Sequence, residues 1–310
     1  MLPIFESTLP VFLLVILGTL LKRWRKIDVG LWAGLEQLGF YVLFPALLFS
    51  TLAQADFGGM AAATLAATSI GSVTLMSGAV LACWPLFRSA GVSASSFTTV
   101  FQTATRWNGF MALAIAGKLY GPDSLAMLAL IMTLIIIPIN FYNIAILVWF
   151  GGGARDVRAF LTKIVTNPLI IAAVLGTVFN LLGIRVYPPL MQSIDLLGET
   201  SLSLGLVMVG AGLRIADALR PQAIAVLPVG LKLLLMPLMM TGAAWLAGIQ
   251  GEALLTVALG ASVPTAMNGY LLAKQMGGDA PLYAAVATLQ TAVSFLTIPL
   301  VLTLAGYAAG

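Results

Sequence analysis

Two short stretches stand out for polar chemistry in an otherwise apolar chain: TATRWNGF, residues 103–110, and ASVPTAMNGY, residues 261–270. Thr105, Asn108 and Gly109 in the first have the same spacing as Thr265, Asn268 and Gly269 in the second. Pro264 removes a backbone donor and clashes with the preceding helical turn, and glycine relaxes the chain. An unbroken membrane helix would want none of these residues at its middle. Non-helical backbone at membrane depth is tolerated where it is buried in protein or lines a wet cavity. The freed amides and carbonyls then become ligands, and half-helix N-termini favour anions. These residue types point to binding a small anion, not to bond-breaking. The chain has no histidine and a single cysteine, Cys83, so imidazole relays and thiolate metal clusters are excluded. No catalytic residue, cofactor or metal is expected, and no GxxxxGK[ST] loop is present to bind ATP.

Arg106 is the sharpest single residue, with Ala266 in the equivalent place of the second stretch. A central arginine costs about 2.5 to 3.5 kcal/mol on insertion scales and usually faces a cavity or a partner. Its readings are bidentate recognition of a substrate carboxylate, or a structural role in which it snorkels or pairs with an acidic residue such as Glu199. Lys232 falls within an apolar span as well, either as a cation near the cavity or coupling group, or as an interfacial snorkel. Asn140 and Asn143 are three apart and share a helical face just after Pro138; helix–helix hydrogen bonding is the plainer role for them. Gln290 and Ser294, four apart, are read the same way. Glu36 and Asp195 lie at span ends with Glu199; a loop-facing role fits the first two better than carrying protons.

These groups must be positioned by membrane helices. Of the 310 residues, 60% are hydrophobic and 8% charged, against about 25% charged in a soluble domain. Apolar runs long enough for the roughly 20 residues of a span fall near 3–21, 31–53, 60–87, 95–119, 123–150, 159–182, 189–213, 220–248, 252–276 and 281–307. The breaks between them have turn or charge chemistry, among them LKRWRKID, Asp56-Phe57-Gly58-Gly59, GGGARD and GGDAP. The odd-numbered loops and adjoining helix ends hold Lys22, Arg23, Arg25, Lys26, Arg88, Arg155, Arg158, Lys163, Arg214, Arg220 and Lys274, while the other side holds Lys118 and Arg185. By the positive-inside rule both termini lie outside the cytoplasm. The expected location is the plasma (inner) membrane. The first span is a retained helix and not a secretory signal, because Glu6 precedes its apolar run and KRWRK follows it. The net charge of +4 does not call for nucleic acid, and none is expected as a partner.

The halves repeat. PVFLLVILGT (10–19) matches PLIIAAVLGT (168–177); EQLG (36–39) matches DLLG (195–198); Asn108-Gly109-Phe110 matches Asn268-Gly269-Tyr270; TLIIIPI (133–139) matches SFLTIPL (294–300). The displacement grows only from 158 to 161 positions across the four. Five spans per half is an odd number, so the second half enters from the opposite side, as in inverted-repeat transporters. The expected fold is an all-α polytopic membrane protein of ten helices: a first five-helix repeat over 1–150 and a second, inverted one over 151–310. Its fourth and ninth helices are broken and cross near the pseudo-two-fold axis.

On the segments WNGFMALAIAGKLYG (107–121) and VPTAMNGYLLAKQMGGD (263–279), followed by SFLTIPL, the chain resembles the auxin efflux carrier family over essentially its whole length. The resemblance implies a fold like that of the bile acid symporter and sodium–proton antiporter group, with elevator-like alternating access. The first two spans of each repeat (about 1–55 and 159–214) would form a scaffold, and the rest (about 60–150 and 220–307) a transport part. It also implies a small carboxylate substrate, such as malonate, malate or an auxin-like acid, with Asn108, Pro264 and Asn268 as crossover positions. Plant members usually have a proline in both crossovers, whereas Ala104 faces Pro264 here. The rival readings are a sodium-coupled organic anion symporter of the bile acid type and a non-transporting membrane sensor. An alanine-rich stretch, Ala61 to Ala67, permits close helix approach and is compatible with a homodimer in the lipid bilayer.

Overall fold

The computed structural model describes residues 2–57, 61–151, 166–219 and 223–309. The expected turn at Gly58-Gly59, the start of the sixth span and Arg155, Arg158, Lys163 and Arg220 lie outside them. The described residues are helical, without strands.

Helix α1 runs Leu2–Arg23, α2 Val29–Leu38 and α3 Phe44–Ala53, the last two joined by a π-helical turn at Gly39–Leu43. Then come α4 (Ala62–Ala82), α5 (Trp84–Ser89), α6 (Ala94–Thr105), α7 (Gly109–Leu119) and α8 (Pro122–Phe150). In the second half follow α9 (Pro168–Leu181), α10 (Pro188–Gly212) and the short α11 (Ile215–Ala218). Next are α12 (Val226–Gly230), a π-helical turn at Leu231–Leu235 and α13 (Met236–Leu246). The chain ends with α14 (Gly251–Ser262), α15 (Asn268–Met276) and α16 (Ala280–Ala309). Seven helical stretches are long and apolar enough to cross a bilayer: Ile4–Arg23, Gly30–Ala53, Ala62–Ser89, Pro122–Phe150, Pro188–Gly212, Ala223–Leu246 and Ala280–Ala309. Pro168–Leu181 and Gly251–Ser262 are shorter apolar helices.

Helix starts follow local chemistry. Asp28 caps α2 by accepting from Gly30 N at 2.5 Å, Ser93 caps α6 by accepting from Ser96 N at 3.1 Å, and Asn167 caps α9 by accepting from Leu169 N at 2.9 Å. Pro122, Pro168 and Pro188 stand at first positions of their helices, where the missing N–H costs nothing. Gly277, at φ +78, ends α15 in the left-handed region.

The outer surface is apolar, around an interior that is mostly apolar but holds buried polar groups. Leu238 and Leu246 are 70% and 79% exposed, whereas Asn143, Lys232 and Gln290 are fully buried. Aliphatic side chains cover the outside as well as filling the core, as lipid as solvent allows, and these polar groups are kept inside. Four glycines bring backbones together. A Cβ on Gly18 would overlap the Val207 carbonyl of α10, and one on Gly210 would overlap the Val15 carbonyl of α1. A Cβ on Gly176 would lie 2.7 Å from the Phe49 carbonyl of α3, and one on Gly198 3.0 Å from Leu47 Cα. Small residues at such crossings are how membrane helices gain close contact without a hydrophobic drive. Thr19 Oγ1 donates to Gly210 O (2.9 Å) and Lys22 Nζ to Ala211 O (2.6 Å), fixing the α1–α10 register.

Candidate binding site at the helix crossing

The two polar stretches are the places where helices stop. α6 ends at Thr105, and Arg106 (ψ 156) leaves the helix in an extended conformation. α14 ends at Ser262, and Val263 (ψ 150) does the same. The proline missing from the first break is therefore not needed to make it; Asn108 is. Its side chain accepts from Met111 N at 3.2 Å as the N-cap of α7. The breaks meet directly, since Asn108 N–H donates to Pro264 O at 2.8 Å. Two half-helices end and two begin around this one bond.

A buried polar frame holds the crossing. Gln290 on α16 accepts from Thr265 N (2.9 Å) and donates to Thr103 O (3.0 Å) and Pro228 O (2.9 Å). One amide thus ties the second break to the end of α6 and to α12. Thr265 Oγ1 lies 3.0 Å from Tyr283 OH, which donates to Ala266 O at 2.7 Å. Asn143 Nδ2 donates to Thr105 Oγ1 (3.2 Å) and to Ile139 O (2.7 Å). Lys232 Nζ donates to Ala261 O at 2.7 Å and lies 5.4 Å from the Trp107 ring centroid. Glycines permit the approach: a Cβ on Gly269 would overlap the Tyr283 hydroxyl, and one on Gly109 the end of the Met132 side chain.

Thr105, Arg106, Asn108, Pro264, Thr265 and Gly269 are buried, Gly109 is half-buried and Asn268 is exposed. The expected equivalence of the two asparagines fails here. Asn108 caps its helix, but Asn268 is the first residue of α15, after Met267, and its amide has no partner among the described residues. The Asn140–Asn143 pair also separates: Asn143 reaches across to α6, while Asn140 bonds only Ile136 O of its own helix (2.9 Å). Ser294 likewise stays on its own helix, at Thr291 O. Arg106 makes no ion pair with Glu199, which is exposed on α10. Its Nε is buried without a partner. Lys232 does not snorkel, being fully buried at the crossing.

Three residues escaped the sequence reading. Tyr283 is seven positions from Gln290, so a shared helical face was legible in principle, but an apolar context hides a hydroxyl's partner. Gln102, four before Arg106, is fully buried with both side-chain polar atoms unpaired. Trp107, inside the quoted motif, supplies the ring beneath Lys232. Replacing Tyr283 with phenylalanine should cost about 1–2 kcal/mol, because Thr265 and Ala266 O lose their partner in a buried setting. Thermal unfolding of the purified protein would register it, and an unchanged midpoint would remove the hydroxyl from the frame.

A helical bundle with aliphatic outer faces and a polar crossing of broken helices is the architecture of a membrane carrier. The model of the membrane transport protein family matches residues 3–149 and 155–302, and the chain belongs to this family, that of the auxin efflux carriers. It is an integral membrane protein and a transporter. It is 26% identical over 298 residues to an uncharacterized transporter of Methanothermobacter thermautotrophicus, covering 95% of this chain and 96% of that protein. It is 23% identical over 304 residues to the uncharacterized transporter YfdV of Escherichia coli K12, covering 93% and 92%.

Proposed function

We propose that the protein is a secondary transporter that carries a small organic anion, a carboxylate of the malonate, malate or auxin-like class, by elevator-type alternating access. The observation that carries this reading is the Asn108 N–H···O=C Pro264 bond. It joins the N-terminal end of α7 to the second break, just ahead of α15, with the buried Arg106 in the first break. Helix N-termini present free amides and partial positive charge, and arginine adds a full charge with fork geometry suited to a carboxylate. Asn268 is exposed beside these groups, where an entering anion would meet it first.

Ten spans in two inverted repeats, with both termini outside the cytoplasm, complete the proposal. Its support is the reciprocity of contacts between halves. Gly18 of the first half presses on α10 of the second, and Gly176 of the second on α3 of the first. Ser96 at the start of α6 donates to Asp279 before α16 (2.8 Å), and Ser124 at the start of α8 donates to Glu252 at the start of α14 (2.7 Å). α1, α2, α3, α9 and α10 would be the scaffold, with the crossing carried by the remaining helices. The Phe110 ring on the Gly205 backbone and against Phe44 (centroids 4.4 Å apart) marks the surface between them.

The test is uptake of labelled malonate, malate and indole-3-acetate into proteoliposomes, with Asn268→Ala beside the wild type. Saturable flux of one carboxylate, reduced about tenfold or more in Asn268→Ala, is expected; losing one charge-assisted hydrogen bond is worth roughly that factor. Absence of carboxylate flux from folded protein would overturn the reading, and binding without flux would make the protein a sensor.

A further inference from the structure

Lys232 is fully buried on the π-helical turn, and no carboxylate pairs with it among the described residues. The elements packed against that turn are α6, α12, α13, α14 and α16. Their charged and titratable groups are Arg106 at the end of α6, Tyr283 and the exposed Tyr307 on α16, and Glu252 at the start of α14, whose carboxylate accepts from Ser124. None of these offers Lys232 a counter-ion. Its ammonium rests instead on Ala261 O, at 2.7 Å, and above the Trp107 ring.

Ala261 is the next-to-last residue of α14. Its carbonyl is one of those that a helix end leaves without an intrahelical partner, and it carries part of the negative end of the helix dipole. A helix-end carbonyl beside an aromatic face suits a bare monovalent cation. The other carbonyl end at the crossing, that of α6, is covered at Thr103 O by the neutral Gln290 amide. Both negative ends are therefore occupied by side chains of the protein itself.

We propose that Lys232 is the resident counter-cation of the crossing, holding at the carbonyl end of α14 the place a coupling metal cation would take, so that the protein binds its anion without Na⁺. Only the last clause rests on the organic-anion reading. The ammonium bridges both breaks, touching the carbonyl of one and the tryptophan of the other, so removing it opens a cation-sized space at their junction.

The experiment is thermal unfolding of purified protein in NaCl, methylammonium chloride or choline chloride at equal concentration. Wild type is expected to unfold at the same temperature in all three. Lys232→Ala should unfold several degrees lower in choline and recover part of the loss in Na⁺ or methylammonium, which fit the vacated space. Lys232→Met, which fills that space without charge, should stay low in every salt. Lys232→Arg, which keeps the charge, should be more stable than Lys232→Met. The proposal is overturned if wild type gains several degrees from Na⁺, if Lys232→Ala is equally low in all three salts, or if Lys232→Arg is no more stable than Lys232→Met. Should Lys232→Ala fail to fold, the wild-type response and the Arg–Met comparison still decide. No substrate enters these measurements, so a failure of carboxylate transport would leave their outcome standing.

Discussion

Replacing Gln290 with leucine is expected to lower the unfolding temperature sharply and to abolish transport. The side chain is fully buried and makes three hydrogen bonds to backbone of three different segments. Its orientation is fixed by its neighbours: the amide nitrogen faces two carbonyls and the amide oxygen faces an N–H. Leucine matches the volume but leaves Thr265 N–H and Thr103 O unpaired in a buried site. Each such orphan costs about 1–3 kcal/mol, so the loss is roughly 2–6 kcal/mol, a large share of a typical folding free energy. The functional loss should exceed the structural one, because the segments released are the ends of the half-helices that form the crossing. Gln290→Glu keeps an acceptor for Thr265 but has no donor when ionised, and it places a negative charge where α6 already ends in carbonyls. It should be no better than leucine for transport. Thermal unfolding and flux on both variants check this. A leucine variant with wild-type stability and full flux would show the frame to be dispensable.

The second large effect lies away from the crossing. Gly210→Val should prevent α1 and α10 from packing, since the new Cβ would lie 2.6 Å from the Val15 carbonyl carbon. Backbone, not a flexible side chain, stands in its way, so relief requires the helices to separate. That separation also breaks the Thr19–Gly210 and Lys22–Ala211 bonds. Overpacking alone costs about 1–3 kcal/mol, and the lost bonds add to it. In lipid no hydrophobic force pulls the helices back. Size-exclusion profiles in mild detergent should show aggregated or little recovered protein. Gly210→Ala should be milder but still destabilised. Gly230→Val offers a control on glycine replacement as such, because a Cβ there meets nothing within 4 Å. Equal behaviour of Gly210→Val and Gly230→Val would remove close packing as the reason for the glycine.

The sequence by itself determined the membrane class, the placement of most helices and the two breaks. Each of these is written in local chemistry: apolar length, capping residues, prolines and Asn-Gly pairs act within a turn or two of their own positions. It also revealed the matched Gly-Thr pairs at 18–19 and 176–177, though not that Gly18 and Gly176 press on the backbone of helices from the opposite half. Tertiary structure alone decided which polar groups meet. Asn143 and Asn140 look equivalent in sequence, yet only Asn143 faces α6. Asn108 and Asn268 match in register, yet one is spent on capping and the other is free. Lys232 reads equally as a cation near the cavity or as a snorkel until α14 places Ala261 O beside it. These outcomes turn on the relative rotation and spacing of helices far apart in the chain, to within a hydrogen-bond length. Apolar periodicity specifies that a face is buried, but buried polar atoms are satisfied one at a time by whichever partner lies within about 3 Å. That is a property of the packed assembly, not of any one helix.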